Sequence, residues 1–390
     1  MDFGLRGAAW LAAALLVAIL VSPDMSASAD EASKGDTPIP ASTLALMAAR
    51  DTTAAAPILI RAYKKEAELE IWKRARNGRF VFLKTFPICR WSGQLGPKMK
   101  QGDRQTPEGF YSVSPNQMNP NSAYYLSFDT GYPNAYDKAR GATGSYVMVH
   151  GTCSSAGCYA MTDRGVGEIY ALAREALKGG QPAFQFQAYP FHMTAQNMAI
   201  YRSDPNIAFW RQLKEGSDRF EATGEEPIVT VSARRYVFSP LKDPGKEALA
   251  AARHAQEEAQ IAALVEEGSA AVRTTYADGG QHPAFLALAQ QGTFLGEVSR
   301  PEALAYAGLE TIITPARPKP RAAVKSASPQ DAKPAQAVEP ASTMSELPTP
   351  HEPETSAFAS TPLCYKLGRP APPQSLISGA MPILPAALAD

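Results

Sequence analysis

The chain has 390 residues, of which 45% are hydrophobic, and its 38 basic and 38 acidic side chains give a formal net charge of zero. This length is enough for one large domain or two modest ones, and the apolar share is ordinary for a globular protein. The balanced charge argues against a nucleic-acid-binding protein, which usually carries a basic patch, and gives no sign of a polybasic membrane-binding segment.

The N-terminus has the pattern of a secretory signal. Arg6 precedes an uncharged apolar run at 8–21, which is shorter than the roughly 20 residues needed to span a bilayer. Ala27-Ser28-Ala29 then forms an A-x-A cleavage site. We therefore expect residues 1–29 to be a signal peptide and the protein to be periplasmic. The alternative is that this segment stays attached as an N-terminal anchor.

The next part of the chain predicts strands. Residues 30–56 are rich in Ala, Ser, Thr and Asp, and we expect them to be a flexible lead-in. From residue 57 apolar and polar residues alternate, and Asn77-Gly78 is a strong hairpin signal. The Gly-, Pro- and charge-rich stretch at 93–109 predicts a long surface loop, and the apolar residues before His150 predict a buried strand.

After Thr162 the pattern becomes helical. We expect a helix that Thr162 or Asp163 caps and that Gly179-Gly180 ends. Its apolar face has the i, i+3, i+4 spacing of a helix and consists of Val166, Ile169, Tyr170, Ala173 and Leu177. A late strand at 227–238 and an Ala/Glu-rich helix at 246–267 follow.

The segment MVHGTCSSAGCYAMTD, residues 148–163, concentrates the chemistry. His150, Cys153 and Cys158 lack the second ligand pair of a zinc site, so we expect no metal. In an exported protein, Cys153 has Cys158 or Cys89 as a disulfide partner. As a third interpretation, Cys158 is a nucleophile. A helix N-terminus shortly after it would lower its thiol pKa, and a hairpin-like return would bring His150 to the sulfur. The residues alone leave the last two interpretations open.

Several stretches resemble one family. YVMVHG followed by SSAGCYAMTD is similar to the signature of the YkuD-type L,D-transpeptidases, in which a His-Gly on one strand precedes Ser/Thr-His-Gly-Cys. GPKMKQGDRQTPEGFYSV also matches that family, and LSFDTGYPNAYDKAR resembles its YafK-like branch. There are two departures from the pattern. Ala156 replaces the motif histidine, and the interval between His150 and Cys158 is short.

The resemblance implies a mainly β, α+β fold. We expect a YkuD-like β-sandwich with a helix after the catalytic cysteine, forming a catalytic domain at 57–195. An accessory α/β extension, partly helical, follows at 196–313. From residue 314 onward lie 15 of the 33 prolines, so we expect a disordered tail at 314–390.

The family pattern also assigns residues. By position, Cys158 corresponds to the nucleophile and His150 to the general base. Gly157 and the Cys158 N–H correspond to the oxyanion hole, and Ser155 to the motif Ser/Thr. A diaminopimelate carboxylate suits basic side chains, so the candidate substrate-binding residues are Lys98, Arg104, Arg140 and, as a cleft wall, Tyr132.

The implied function is cysteine-dependent acyl transfer on peptidoglycan stem peptides, in cell-wall biogenesis or remodelling, without metal or cofactor. Hydrolysis of the link between diaminopimelate and an outer-membrane lipoprotein is the alternative reaction. A wall-binding module with disulfide-bonded cysteines is the non-enzymatic alternative. The expected partners are stem peptides and that lipoprotein, with no nucleic acid. The sequence determines neither the acceptor nor the oligomeric state.

Other motifs have plainer interpretations. The Thr-Pro-Glu-Gly stretch at 106–109 is expected to be structural, with a lesser chance that Glu108 contacts substrate. Cys89 is expected to be a buried strand cysteine, and Cys364 lies in the tail. The segment TYADGGQHPAF, residues 275–285, is unusual, and the sequence offers no mechanism for it.

Overall fold

A computed structural model describes residues 33–292 and 308–317. The expected signal peptide lies outside these residues, as do Cys364 and nearly all of the expected tail. Within the described ranges, no helix is long and apolar enough to cross a membrane.

The central sheet has five strands, and the predicted strands of the first part of the chain supply most of it. Its strand order is β3-β2-β1-β9-β4, in which β1 and β9 run parallel and the other neighbours antiparallel. The hairpin predicted at Asn77-Gly78 joins β2 to β3. The strands are β1 (Ile58–Tyr63), β2 (Glu68–Arg74), β3 (Phe80–Pro87), β4 (Gly109–Val113) and β9 (Phe184–Tyr189).

A second sheet of four short strands packs against one face of the first. Its order is β5-β6-β7-β8, with β7 and β8 parallel. Aromatic rings fill the space between the sheets: Phe128 lies 5.6 Å from Phe184 and Tyr159 lies 5.4 Å from Phe186. The strands are β5 (Met118–Asn119), β6 (Ser127–Asp129), β7 (Met148–His150) and β8 (Tyr159–Ala160). The expected α+β sandwich is confirmed.

The helix predicted after Thr162 is also confirmed. It runs from Asp163 to Lys178, the Thr162 side chain accepts from Gly165 N–H, and Gly179 follows its last turn. The helices are α1 (Ala41–Ala49), α2 (Ala135–Ala139), α3 (Asp163–Lys178), α4 (Ala195–Ile200), α5 (Ile207–Thr223), α6 (Pro244–Glu266) and α7 (Pro283–Gln290).

The expected flexible lead-in is wrong for the residues that the structure describes. Residues 34–36 form a 3₁₀ turn and α1 follows. Met47 is buried, and Thr43 donates to Glu168 of α3. The Ala-, Ser-, Thr- and Asp-rich composition of residues 30–56 therefore did not reveal a helix that tertiary contacts hold in place.

The late strand predicted at 227–238 is instead a hairpin, formed by β10 (Val229–Ser232) and β11 (Arg235–Phe238). Its two turn residues, Ala233 and Arg234, both have positive φ, of 48° and 60°. Such two-residue turns usually contain Asn or Gly, so this sequence lacked the signal.

The accessory extension packs on the other face of the central sheet. There α5 and α6 lie together, and the Tyr236 hydroxyl of β11 accepts from the Phe110 N–H of β4. Strands β12 (Ala271–Thr275) and β13 (Leu309–Thr314) complete it. All described residues fall within one compact unit, so helices, central sheet and second sheet form three layers.

Candidate active site

The parallel pair β7–β8 places His150 and Cys158 on neighbouring strand segments. Val149 pairs with Tyr159 and His150 with Ala160. Since alternate residues of a strand share a face, Cys158, which immediately precedes β8, lies on the same face as His150. The Met148 N–H donates to the Cys158 sulfur over 3.4 Å, which places the thiol beside β7. The return is not the expected hairpin, because the two strands run parallel.

The cysteine alternatives are resolved by a disulfide between Cys89 and Cys153, whose Cα atoms lie 5.2 Å apart. Cys158 is a free, half-buried thiol. Cys89 is buried as expected, but it follows β3 and is bonded rather than free. With Cys153 in the bridge, the set His150, Cys153 and Cys158 is not a metal site. Within the described ranges, no group of three or more His, Cys, Asp or Glu residues is arranged to hold a metal ion.

The thiol of Cys158 is protonated at neutral pH. Burial raises its pKa above the ordinary value of 9.0, against smaller lowering effects of the Met148 N–H and the Lys98 charge. The expected lowering by a helix N-terminus is wrong. Strand β8 separates the cysteine from α3, and the Thr162 hydroxyl already accepts a first-turn N–H of that helix. The sulfur therefore needs a base to become nucleophilic.

His150 has the protonation state of a base. Its Nδ1 lies 2.6 Å from the Gly151 carbonyl oxygen. Because a carbonyl only accepts, Nδ1 carries the proton and Nε2 keeps its lone pair. Burial lowers the pKa of His150 below its ordinary 6.5, partly offset by the Gly151 carbonyl. The Tyr124 ring packs beside the imidazole at 4.7 Å.

Ser155 organises the turn that carries the thiol. Its hydroxyl oxygen accepts from the N–H groups of Gly157 at 3.2 Å and Cys158 at 3.1 Å, and it donates to the Cys158 carbonyl at 2.8 Å. Gly157 has φ 133°, which side-chain-bearing residues rarely adopt. The two N–H groups expected to form an oxyanion hole are thus held by Ser155 in this structure.

Two of the four candidate substrate-binding residues lie together. Lys98 is buried, bonds to Asp103 and to the Lys100 carbonyl, and acts electrostatically on Cys158. Its ammonium lies 5.8 Å from the Tyr132 ring. Tyr132 is itself buried and its hydroxyl lies 3.1 Å from the Thr143 carbonyl oxygen, so it supports Lys98 instead of forming an open cleft wall.

The other two candidates are engaged elsewhere. Arg104 forms an ion pair with Asp278 at 2.6 Å. Arg140 lies on the ring of Tyr136 at 5.4 Å and donates to the hydroxyl of the same residue. Both guanidinium groups are partly exposed, but each already has a partner in the protein.

The stretch at 106–109 is structural, as expected. Glu108 is fully buried and binds Lys64 at 2.9 Å and the Trp210 indole at 2.8 Å. The Thr106 hydroxyl donates to the Cys158 carbonyl at 3.1 Å. These residues therefore support the backbone at Cys158 from the buried side of the site.

Sequence reasoning missed Tyr146. Its side chain is 75% exposed, its backbone has φ 57°, and its carbonyl oxygen is 3.9 Å from the Cys158 sulfur. Its backbone therefore lies beside the thiol, while the half-exposed Tyr124 ring packs beside His150. The turn-rich residues just before β7 were the available signal.

Comparison with known proteins shows the family of this chain. The model of the YkuD family, described as the L,D-transpeptidase catalytic domain, matches residues 61–182. Two proteins named "Putative L,D-transpeptidase YafK", from Escherichia coli K12 and O157:H7, are each 46% identical over 183 residues, which is 47% of this chain and 74% of theirs. The chain belongs to the YkuD family. Its family match ends before β9 and before the whole accessory extension.

Solved structures show weaker likeness. The helical cell shape determining protein Pgp2 of Campylobacter jejuni is 15% identical, with 60% of this chain and 80% of that chain covered at a TM-score of 0.28. Bd1075 of Bdellovibrio bacteriovorus is 15% identical, with 57% and 75% covered at 0.25. At these scores they contribute nothing to the assignment.

Proposed function

We propose that this YkuD protein is a periplasmic cysteine acyltransferase that acts on peptidoglycan stem peptides. The observation that carries the proposal is the free Cys158 thiol on the same face as a neutral His150 whose Nε2 bonds to none of the described residues. A disulfide elsewhere in the fold suits an oxidising compartment and supports export through the proposed signal peptide.

In the first half-reaction, His150 Nε2 takes the thiol proton while the Cys158 sulfur attacks the carbonyl carbon of a stem-peptide diaminopimelate residue. The bond from that carbonyl to the next residue's nitrogen breaks, and the imidazolium returns its proton to the leaving amine. A thioester on Cys158 remains. In the second half-reaction an amine attacks it to form a new amide, and the thiol is restored.

The developing oxyanion needs donors. The N–H groups of Gly157 and Cys158 fill this role when the substrate oxygen replaces the Ser155 hydroxyl. The Met148 N–H and the Lys98 charge stabilise the thiolate. On this proposal a Ser155→Ala variant, which frees both N–H groups but loosens the turn, changes acylation without changing the identity of the nucleophile.

Hydrolysis of the diaminopimelate–lipoprotein link uses the same thioester, with water in place of the amine, so product analysis separates it from transfer. The wall-binding alternative, a module with disulfide-bonded cysteines, gains support if Cys158 is blocked in a disulfide; the free Cys158 thiol supports the enzyme proposal instead.

Intact-mass analysis tests the assignment. The mature chain with Cys364→Ser, which leaves Cys158 as the single cysteine outside the Cys89–Cys153 bridge, is incubated with a carbapenem as a strained acyl donor and, separately, with lipoprotein-linked muropeptides. We expect one covalent adduct, mapped to Cys158, and peptide products bearing either new amides or free carboxylates. Unchanged turnover in a Cys158→Ala variant would refute the proposal.

A further inference from the structure

The unusual segment at 275–285 docks on the catalytic region. Trp91 and Gly280 form an antiparallel bridge, with N–H to carbonyl distances of 2.9 and 3.1 Å. The Gly279 N–H donates to the Gly93 carbonyl at 2.7 Å, and the His282 N–H to the Ile88 carbonyl at 3.0 Å. The accessory extension therefore contributes a short strand-like edge along residues 88–93.

Residues 88–93 lie between this edge and the strand that follows the nucleophile. Arg90 bridges to Ala160 of β8, and the Ala160 N–H donates back to the Arg90 carbonyl at 2.9 Å. The Ser92 hydroxyl bonds that of Ser155 at 2.8 Å. The four-stranded sheet is thus continued by two further segments, the outer one supplied by the accessory extension.

Close backbone contact requires glycine at position 279 of this segment. A Cβ placed on Gly279 would lie 1.9 Å from the Trp91 carbonyl oxygen, a distance that no side chain tolerates. The segment is shaped for close backbone contact with residue 91.

Asp278 extends the contact to the loop behind the thiol. Its carboxylate is almost fully buried and accepts from Arg104 at 2.6 Å, while its backbone carbonyl accepts from Arg90 at 2.5 Å. Arg104 has φ 56°, a strained conformation for an L-residue that persists only when its surroundings hold it. The adjoining Gln105 carbonyl oxygen would lie 3.5 Å from a Cβ on Gly157, so this loop backs the thiol-bearing turn.

We propose that Asp278 is a positioning residue for acylation of Cys158: through Arg104 and Arg90 it fixes the segments that hold the Ser155–Cys158 turn, so that the Gly157 and Cys158 N–H groups meet the oxyanion. This rests on the proposed function. Asp278 touches neither the thiol nor the substrate, and it lies outside the family match at 61–182. The chain thus uses its accessory extension to complete the site.

Two reactions of the Cys158 sulfur distinguish a loss of positioning by Asp278 from a general disruption of the site. Acylation by a carbapenem needs the base and the oxyanion donors, whereas alkylation by iodoacetamide is a displacement that needs only an accessible thiolate. Both rates are measured on the mature chain carrying Cys364→Ser, with and without Asp278→Asn. We expect Asp278→Asn to slow acylation roughly tenfold to hundredfold and to change alkylation less than about twofold, because the change leaves the thiol's own surroundings in place.

A second variant and a control complete the design. Arg104→Ala, at the half-exposed end of the pair, should give the same loss, and the double variant should be no worse than either single one, since both remove one interaction. Glu310 lies in the same extension and forms an exposed ion pair with Lys65. Glu310→Gln, which removes this ion pair, should change neither rate.

The outcomes are distinguishable. A wild-type chain that is alkylated but never acylated at Cys158 refutes the proposed function. An acylated wild type with equally fast Asp278→Asn and Arg104→Ala refutes only the role of Asp278. Parallel loss of acylation and alkylation also refutes it, because the site would then simply have collapsed.

Discussion

The layer of α5 and α6 and the second sheet both carry buried titratable groups, but the two regions pair these groups differently. On the α5–α6 face, Lys214 is fully buried and binds Asp218 and Glu257, and Asp218 also binds His254 at 2.8 Å. Hydrogen bonds and charge from Lys214 hold the pKa of Glu257 below its ordinary value, although burial opposes this. Every charge in this cluster has a partner.

The same face holds a cavity of about 350 Å³ that Arg61, Tyr63, His192 and the ion-paired acids line. Arg61, nearly fully buried, bonds Glu221 and the Ser217 hydroxyl. Size alone would make this cavity a candidate site. Its charged groups are nevertheless ion-paired, among them Arg61 with Glu221 and His192 with Glu68.

In the second sheet, Cys158 and His150 have no ionic partner among the described residues, and burial shifts both pKa values toward the neutral forms. Perturbed pKa values cluster at functional sites, and structural ion-pair networks perturb pKa values as well. The comparison therefore teaches that a free thiol near an uncharged imidazole, and not cavity volume, distinguishes the candidate site. Four experiments test this comparison, in decreasing order of expected effect.

Replacing the base should have the largest effect. His150→Gln keeps much of the shape but removes the lone pair that takes the thiol proton, so we expect acylation of Cys158 to fall by about 10²- to 10⁴-fold. Stopped-flow or mass-resolved adduct formation measures it. His254→Gln, on the paired face, serves as the control and should acylate at the wild-type rate; a loss there comparable to that of His150→Gln would erase the contrast between the faces.

Removing the central cation of the other face should cost stability instead. Lys214→Met leaves Asp218 and Glu257 buried without their partner, and we expect the free energy of unfolding to fall by roughly 3–5 kcal/mol. Urea denaturation measures this loss. The folded variant should acylate Cys158 normally, and a tenfold slower reaction in folded protein would show that the faces are not independent.

The disulfide should stabilise the catalytic face by roughly 2–4 kcal/mol. The double variant Cys89→Ser/Cys153→Ser should unfold at lower urea concentration and acylate more slowly, because residues 151–158 lose a covalent attachment. Dithiothreitol should reproduce both effects in the wild type and change nothing further in the double variant. Equal sensitivity of the two proteins to the reductant would place the redox-sensitive group elsewhere.

The pH dependence should show the smallest changes. His150 accepts a proton only when neutral, and its pKa is lowered, so the acidic limb of the acylation profile should have its midpoint below 6.5. The raised pKa of Cys158 places the midpoint of iodoacetamide alkylation above 9.0. Lys98→Met removes a positive charge that favours the thiolate and should move that midpoint upward; a downward shift would mean that Lys98 does not act on the sulfur.

The sequence predicted local elements well where one signal dominated. The alternation in β1–β3, the Asn-Gly turn and the capped α3 were all readable, because period and capping chemistry are local. The turn at Ala233-Arg234 and helix α1 were missed, because a hairpin without Asn or Gly and a helix of small residues depend on what packs against them. Arg104 illustrates the same limit at the site: its type suited a substrate carboxylate, but Asp278, 174 positions away, occupies it.

By itself, then, the sequence determined the motif, the nucleophile candidate, its histidine and the sandwich class, since residue type and spacing carry that information. Only the tertiary structure decided which cysteine is free, which way the thiol pKa shifts, and what the segment at 275–285 does. Disulfide pairing, desolvation and strand addition all depend on which distant residues become neighbours, and spacing along one chain does not encode that.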